Sequence, residues 1–289
     1  MYRRGVITDE ISQDLDVVLE TAKRFSLEGL EIRTIWNTRV DQLDDAAVRR
    51  LREAVDAAGL IICGVAPPFY KCDIDRPAER AEHLEILRRS IDVGQRLGTN
   101  LIRTFTFWLT QPVANVWDRL VAYYQEPAEI ARTSGVVLAV ENEHSCEVGT
   151  GHELAHFLSL LDRPEVKALW DPGNAFHASE TERAYPDGYL AVRDRIVHVH
   201  LKDAVREPGA AKAQHAPIGE GQVGIAEQLS ALVRDGYNGF VSLETHWRPE
   251  AIDEETMRLP GGQLFSEKAA GATIYCLKNW DRILADQRE

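Results

Sequence analysis

The chain has 289 residues, of which 44% are hydrophobic and 27% charged, and its formal net charge is −13. This composition is typical of a globular protein, and the acidic balance argues against nucleic acid as a partner, because nucleic-acid binding draws on clustered Lys and Arg. No apolar run approaches the roughly 20 residues that span a bilayer, and no signal-peptide pattern opens the chain, so we expect a cytoplasmic protein without a membrane partner.

Segments with strand and helix patterns alternate along the whole chain. Amphipathic segments such as residues 14–25 and 78–97 separate the strands, and Thr150 with Glu153 predicts a capping box at the start of another helix. Eight segments have strand character, and in chain order they are residues 5–10, 29–35, 60–66, 100–105, 136–141, 167–171, 196–201 and 239–244.

This order predicts the fold class directly. Alternating strands and helices, without a linker or a repeat, favour one α/β domain over residues 1–289. The length and the eight strands match a single (β/α)8 barrel, to which we add a C-terminal helix from about residue 265 to 285. Residues 203–224, rich in Pro and Gly, form the longest predicted strand-to-helix loop and a candidate lid, and residues 249–262 form the second longest.

Four side chains of types that bind metals lie near the carboxyl ends of the last four predicted strands. They are Glu141, Asp171, His200 and Glu244. A parallel βα barrel builds its active site from these strand ends. Because charged groups inside a barrel are costly unless they are paired or bind a metal, the four residues predict one divalent metal ion in an oxygen-rich pocket.

Side-chain alternation in the seventh strand supports the same site. His198, His200 and Lys202 fall on one face, and the intervening apolar residues fall on the face that packs under helices. The same alternation directs Glu141 and Glu244 into the barrel. His200 is the predicted ligand, whereas His198 lies deeper and is expected to form hydrogen bonds behind the ligands.

Each candidate also has a purely structural interpretation. Glu141 or Glu244 alone is explained as well by a pair with Lys or Arg, and Asp171 lies in the turn-forming sequence DPGN. Lys202 is explained equally well as a solvated charge at a strand end and as a group that contacts substrate oxygen. For His177 we expect polar surface. The shared placement of the four strand-end residues favours the metal.

The first four strands supply a second tier of candidates. Four charged residues with inward parity lie at or near their ends, and they are Glu10, Glu31, Arg33 and Arg103. Trp36 and Trp108 follow on the next loops. These residues predict either a polar, aromatic-lined sugar pocket or strand-end salt bridges, and the sequence leaves both alternatives open.

Five motifs, in this order, resemble those of the xylose isomerase-like TIM barrels, in particular the sugar phosphate isomerase/epimerase group. They are ENEH at 141–144, WDPGNA at 170–175, HVHLKD at 198–203, IGEG at 218–221 and SLETH at 242–246. The resemblance covers nearly the entire chain. It implies a TIM barrel with one divalent ion (manganese, magnesium, cobalt or zinc, with manganese favoured) at Glu141, Asp171, His200 and Glu244.

The resemblance also implies an activity. It is that of an isomerase or epimerase acting on a small sugar or polyol ketone, with proton abstraction and an enediolate intermediate. In this scheme Glu141 and Glu244 lie on opposite sides of the reacting carbon and remove and return the proton. The residues expected to bind the substrate are Asn174, Lys202, Glu147, Arg103 and His198.

Three alternatives to this function exist. The related endonuclease IV uses three metals, but Ala213 and Asn174 stand here where an aspartate and a histidine would be expected, so a nuclease is disfavoured. A metal-dependent dehydratase of the inosose dehydratase type is the main alternative, because the same enolate can expel a hydroxyl group. A non-catalytic carbohydrate-binding barrel is the third.

The sequence leaves the phosphorylation of the substrate and the oligomeric state open. The glycines at 219–224 could offer amides to a phosphate, but Glu220 is a poor neighbour for one, so we expect an unphosphorylated polyol. Members of the resembled group often pair, which makes a homo-oligomer one expected state.

Overall fold

The centre of the molecule is a closed barrel of eight parallel strands in a computed structural model that describes residues 1–249, 261–267 and 269–287. The strands are β1 (Arg3–Ile7), β2 (Gly29–Ile32), β3 (Ile61–Val65), β4 (Leu101–Thr104), β5 (Val137–Glu141), β6 (Val166–Trp170), β7 (Ile196–Leu201) and β8 (Phe240–Leu243). Each strand pairs with its neighbours in the chain, and β8 pairs with β1. The predicted (β/α)8 barrel is confirmed.

Helices follow the strands and surround the barrel. Within the described residues they are α1 (Leu15–Arg24), α2 (Asp45–Ala57), α3 (Pro77–Arg96), α4 (Trp117–Ser134), α5 (Gly151–Leu161), α6 (Pro172–Ala178), α7 (Tyr189–Val192), α8 (Ile225–Arg234), α9 (Gln263–Ser266) and α10 (Ala269–Asp286). The last of them is the predicted C-terminal helix. None of the helices described is long and apolar enough to cross a membrane.

Two predicted strands are shorter in the structure than in the sequence pattern. β1 ends at Ile7, and Thr8–Glu10 form a 3-10 turn. β2 ends at Ile32, after which Thr34–Ile35 pair with Thr38–Arg39 in a separate hairpin. Residues of both extensions are buried at every position, so the sequence pattern does not show where the backbone leaves the barrel.

The inward and outward faces of the strands are as the alternation predicts. In β7, Val199 and Leu201 are each 2% exposed and belong to the core beneath the helices.

Two predicted features of the helices are also present. α3 buries Leu87 and Ile91 on one stripe. Thr150 begins α5 with the predicted capping box: its side chain accepts a hydrogen bond from the amide of residue 153, whose carboxylate accepts one from the amide of Thr150.

The loop from residue 203 to 224 has structure of its own. Asp203–Val205 pair with Gln214–Ala216 in an antiparallel hairpin. The Asp203 carboxylate then accepts hydrogen bonds from the amides of Gly219 at 2.9 Å and Gly221 at 3.0 Å. A Cβ at Gly221 would lie 2.2 Å from Asp203 Oδ1, which explains the glycine. This loop is therefore held against the barrel at both ends. Most of the second predicted loop, residues 250–260, lies outside the described residues.

Candidate metal and substrate site

The four predicted ligands meet at the carboxyl end of the barrel. Glu141 is the last residue of β5, His200 lies in β7, and Asp171 and Glu244 directly follow β6 and β8. None is more than 2% exposed, and each offers one ligand atom to a group whose atoms all lie within 4.8 Å of one another. Asp171 also caps α6, because its carboxylate accepts a hydrogen bond from the amide of Asn174 at 2.8 Å. The turn role and the site role of this aspartate are thus compatible.

His200 lies between the carboxylates. Its Nδ1 is 3.3 Å from Glu141 Oε1, 3.2 Å from Glu244 Oε2 and 3.9 Å from Asp171 Oδ2. The Lys202 ammonium lies on the other side, 2.9 Å from Asp171 Oδ2 and 2.8 Å from Glu244 Oε2. The contacts to Asp171 Oδ2 and Glu244 Oε2 are close charge contacts without hydrogen-bond geometry, whereas His200 Nδ1 and Glu141 Oε1 form a hydrogen bond. The cluster therefore combines three carboxylates with two groups that balance their charge.

Burial and mutual charge shift the pKa values of the cluster strongly. Burial disfavours charge on the His200 imidazole, but the carboxylates of Glu31 and Glu141 outweigh it and hold its pKa well above the usual value. Burial likewise opposes the charge of Lys202, but Asp171 and the neighbouring glutamates together outweigh it, so the pKa of this lysine is also well above the usual value. Burial raises the pKa of Asp171 to about 6, although Lys202 opposes that shift. The carboxylates of the cluster thus favour the positively charged forms of His200 and Lys202.

The donor atoms suit a divalent cation. Within the described part of the chain, Glu141 Oε2, Asp171 Oδ2 and Glu244 Oε2 are buried and make no hydrogen bond of good geometry, although the Lys202 ammonium lies 2.9 and 2.8 Å from the last two. Buried carboxylate oxygens are costly in this state unless a cation or a donor satisfies them. Three carboxylates and the imidazole of His200 form a mixed oxygen and nitrogen set that manganese, magnesium, cobalt and zinc can all accept. The cluster could therefore hold a metal, and its chemistry does not select one.

Arginines from the first half of the barrel contact two of the candidate ligands. Arg33 donates to Glu244 Oε1 at 2.6 Å and also to Asp9, with its Nε 2.9 Å from Oδ1. Arg103 lies 3.4 Å from Glu141 Oε2 and 3.6 Å from Glu244 Oε1. Both arginines are buried. Of the two alternatives for the strand-end charges, salt bridges are thus present, and they include two of the candidate ligands, Glu141 and Glu244.

Glu31 lies beneath the cluster and connects two histidines. Its carboxylate is 2.9 Å from His198 Nε2 and 3.1 Å from His200 Nε2. His198 Nε2 also lies 2.9 Å from the hydroxyl of Ser242. Hydrogen bonding of this kind fixes the orientation of a ligand histidine from behind. The structure places His198 in the deeper position expected from the sequence, behind His200.

The remaining residues predicted to bind substrate lie in different surroundings. Asn174 Nδ2 donates to Glu141 Oε1 at 3.0 Å, and its Oδ1 lies 3.3 Å from the Lys202 ammonium, so both side chains belong to the cluster. Glu147 is 2% exposed and contacts Thr110 instead, whose amide is 3.3 Å from its Oε1. The role of Glu147 in binding substrate stays a prediction from sequence.

Sequence reasoning missed three polar residues near the cluster. Glu143 pairs with Lys71 at 2.8 Å, and His246 Nε2 lies 3.4 Å from both Glu244 Oε1 and Glu10 Oε1. Glu143 lies two residues after a candidate ligand, and His246 lies in the SLETH motif. The sequence positions of both residues could therefore have indicated that they lie near the site. Lys71 lies in the loop after β3, and nothing in the sequence around it indicated a place at the site.

A cavity of about 220 Å³ opens above the cluster. Glu141 and Glu244 line it, together with Arg33, Arg103 and Trp108, so these second-tier candidates do face a pocket. The indole of Trp36 instead lies under the guanidinium of Arg50, 4.7 Å from its carbon Cζ, and contacts the core.

A second cavity of about 810 Å³ adjoins the first and contains a row of histidines. His144, His177 and His215 line it, with ring centroids 4.9 Å apart for the first pair and 4.7 Å for the second. The expectation that His177 is polar surface was wrong: it is half-buried because the short helix α6 turns it toward the cavity. Burial lowers the pKa of His177 to about 3 and holds the pKa of His215 well below the usual value.

Comparison with known proteins agrees with this fold. A family model described as xylose isomerase-like TIM barrel matches residues 19–263. A fructoselysine 3-epimerase from Shigella flexneri is 23% identical over 236 residues, which are 77% of this chain and 82% of that protein. An inosose dehydratase from Glaesserella parasuis is 23% identical over 255 residues, which are 78% of this chain and 82% of that protein.

A solved structure shows the same fold. The crystal structure of a probable 3-DHS dehydratase from Bacillus anthracis has a TM-score of 0.73 and 18% identity, and the match covers 96% of this chain and 98% of that one. The relatives named here thus include a sugar epimerase and dehydratases. Because the family model spans most of the sequence, the chain belongs to the xylose isomerase-like TIM barrel family.

Proposed function

We propose that this protein is a divalent-metal-dependent isomerase or epimerase of a small sugar or polyol ketone, acting in the cytoplasm through proton abstraction and an enediolate. One observation carries the proposal. Three buried carboxylates and one imidazole converge at the carboxyl end of the barrel, with one ligand atom of each within 4.8 Å of all the others. A cavity of about 220 Å³ leads to two of these carboxylates.

The cation would be held by Glu141, Asp171, His200 and Glu244. When bound, it would polarise the carbonyl and the adjacent hydroxyl oxygen of a ketone, which makes the proton on the neighbouring carbon more acidic. Manganese is the ion that we favour, and magnesium, cobalt and zinc fit the same donors. The protein's own part is to orient the sugar and to move protons.

Glu141 and Glu244 are the groups proposed to move the proton. They come from β5 and β8, which two strands separate, and they approach His200 Nδ1 at 3.3 and 3.2 Å. A carboxylate on each side of the reacting carbon can remove a proton from one face and return one to the other, which is epimerisation. Return of the proton to the neighbouring carbon is isomerisation.

Positive side chains at the carboxylate cluster suit the negative charge that forms on the substrate. Lys202 and Arg103 are both buried, and they lie 2.8 and 3.6 Å from oxygens of Glu244. Fixed charges in a water-poor site stabilise a developing oxyanion more than they would in water. Asn174, which donates to Glu141, would hold that carboxylate and a substrate hydroxyl in position.

A dehydratase is the second candidate. The inosose dehydratase and the probable 3-DHS dehydratase among the similar proteins favour it. The geometry is compatible, because the Lys202 ammonium lies at the cluster and could protonate a departing hydroxyl group. The two reactions share proton abstraction and differ in whether the carbanion is reprotonated or loses hydroxide.

Incubation with ketoses and inososes in deuterated water tests the proposal. We expect deuterium at the carbon next to the carbonyl, observed by NMR, after manganese is added to chelator-treated protein. Product mass then separates the candidates, because dehydration removes one water and isomerisation leaves the mass unchanged apart from the deuterium.

Omission of the metal is the control. Exchange at the same rate with and without the metal would contradict the proposed chemistry. Tight sugar binding without any exchange in the presence of manganese would favour the carbohydrate-binding barrel.

A further inference from the structure

The two cavities at the barrel mouth are of very different size. The inner one, above Glu141 and Glu244, has about 220 Å³ and the outer one about 810 Å³. They share the lining residues Lys71, Trp108 and His246, so one continues into the other. Sites of about 300–1,000 Å³ typically hold drug-sized ligands, so the inner cavity suits a single sugar unit and the outer one leaves room for a further group of similar size.

The outer cavity has a lining that suits a second sugar. Trp108 and Trp247 present large flat apolar surfaces, which match the C–H faces of a sugar ring. His177 and His215 contribute uncharged imidazoles, each with one ring nitrogen that donates and one that accepts. His177 Nε2 and His215 Nδ1 are buried atoms without a hydrogen-bond partner among the described residues. Both rings line the outer cavity, so a small rotation of either imidazole would bring its unpaired nitrogen to a sugar hydroxyl.

The charges of the outer cavity do not favour a phosphate. Lys71 pairs with Glu143 at 2.8 Å, and Arg248 pairs with Glu10 at 3.2 Å, so two of the cations that line the cavity are already neutralised. Recognition of a phosphate generally relies on arginine or lysine that is free to pair with its oxygens. A neutral polyhydroxylated group fits the remaining donors and acceptors better.

We propose that the substrate is a glycosylated ketone, with the reacting sugar in the inner cavity and an uncharged glycosyl group in the outer one. This inference rests on the proposed function, since it assigns the inner cavity to the reacting unit. The outer group contacts Trp108, Trp247, His177 and His215, which therefore determine specificity without contacting the reacting atoms.

Binding measurements test the inference without turnover. D-fructose is compared by calorimetric titration with its four O-glucosyl derivatives, linked at oxygens 3, 4, 5 and 6, in manganese-loaded protein. We expect at least one disaccharide to bind about tenfold more tightly than fructose, equivalent to one additional well-placed hydrogen bond. His177→Ala and His215→Ala, on different elements, should each remove most of that difference and leave fructose binding unchanged.

His152→Ala is the matched control, because His152 is an exposed histidine that contacts Glu182 outside both cavities. It should change neither affinity. The inference is overturned if no disaccharide binds more tightly than fructose, or if the two cavity variants weaken fructose and disaccharide alike while their melting temperatures are unchanged. Failure of deuterium exchange with intact disaccharide binding would instead count against the proposed reaction alone.

Discussion

The last four strands and the first four bring different side chains to the same end of the barrel. β5 to β8 supply the candidate ligands Glu141, Asp171, His200 and Glu244. The first four strands and the turns after them supply arginines and carboxylates that contact those ligands, such as Arg33, which lies 2.6 Å from Glu244 Oε1. One half thus carries the groups that could bind a metal, and the other half holds them in place and balances their charge.

This division explains why so many charges can be buried at one point. Arg33 alone contacts Asp9, Glu10 and Glu244, so its removal would leave several carboxylates without a partner. A buried charge without its partner is far more costly than the pair. Substitutions in the two halves should therefore have different consequences: loss of chemistry in the second half and loss of stability in the first.

The largest effect is expected for the carboxylates proposed to move the proton. Glu141→Gln and Glu244→Gln keep the side-chain shape but remove the base, so each should lower the rate of deuterium exchange by about 10²–10⁴-fold. Initial rates at saturating manganese measure this effect. Glu129→Gln, on the exposed surface of α4, is the control and should leave the rate unchanged. Exchange by either site variant at the unaltered rate would assign the proton transfer to other groups.

Arg33→Ala should affect the folded state most. Because its guanidinium is buried against three carboxylates, its loss should lower the free energy of unfolding by about 3–5 kcal/mol. Denaturant titration measures this value. Arg88→Ala removes two exposed pairs, with Glu85 and Glu126, and should cost less than about 1 kcal/mol. Equal effects of the two variants would show that the first half does not stabilise the cluster as described.

Asn174→Ala should have an intermediate effect on metal affinity. The asparagine contacts Glu141 and Lys202 without being a candidate ligand, and loss of such a contact typically weakens metal binding by about 10–100-fold. Glu147→Gln should leave the metal affinity unchanged and raise the KM for the sugar, if Glu147 contacts substrate. A manganese titration and a KM measurement on both variants separate the two roles, and weaker manganese binding by Glu147→Gln would contradict the separation.

The smallest expected effect is a pH dependence of metal binding. Burial opposes the charge of His200, but the carboxylates of Glu31, Glu141 and Glu244 hold its pKa well above 6.5, so the metal-free imidazole is protonated at neutral pH. A ligand imidazole must be neutral, so metal binding releases this proton. The affinity should therefore rise with pH, by about tenfold per unit for one released proton, until the pKa of His200 is passed. Calorimetry in two buffers of different ionisation enthalpy would count the proton, and a count of zero would contradict this protonation state.

Much of this architecture follows from local patterns in the sequence. Hydrophobic alternation predicted all eight strands, because every barrel strand has one face under helices, and parity placed Glu141, His200 and Glu244 inward. After a strand ends, side chains no longer alternate with a two-residue repeat, so their directions cannot be read from the sequence pattern. Both Tyr70 and His246 have positive φ angles, of 65° and 47°, so the chain turns sharply at each, and the positions of Lys71 and His246 at the cavity could not be predicted.

Long-range contacts were also beyond the sequence. Arg33 and Glu244 lie 211 positions apart, and nothing local distinguishes their pair from two unrelated strand-end charges. The row of histidines is a similar case. His144, His177 and His215 follow three different strands, and only the fold shows that they line one cavity.

Manganese binding by the chelator-treated protein tests the central claim most directly. Electron paramagnetic resonance of free manganese during a titration gives the number of bound ions and their affinity. We expect one ion per chain in the unchanged protein and no comparable binding by Asp171→Ala or His200→Ala, while both variants keep the circular dichroism spectrum of the barrel. Binding of the same strength in the unchanged protein and in both variants would contradict the assignment of these residues as ligands, and so would an absence of binding in all three.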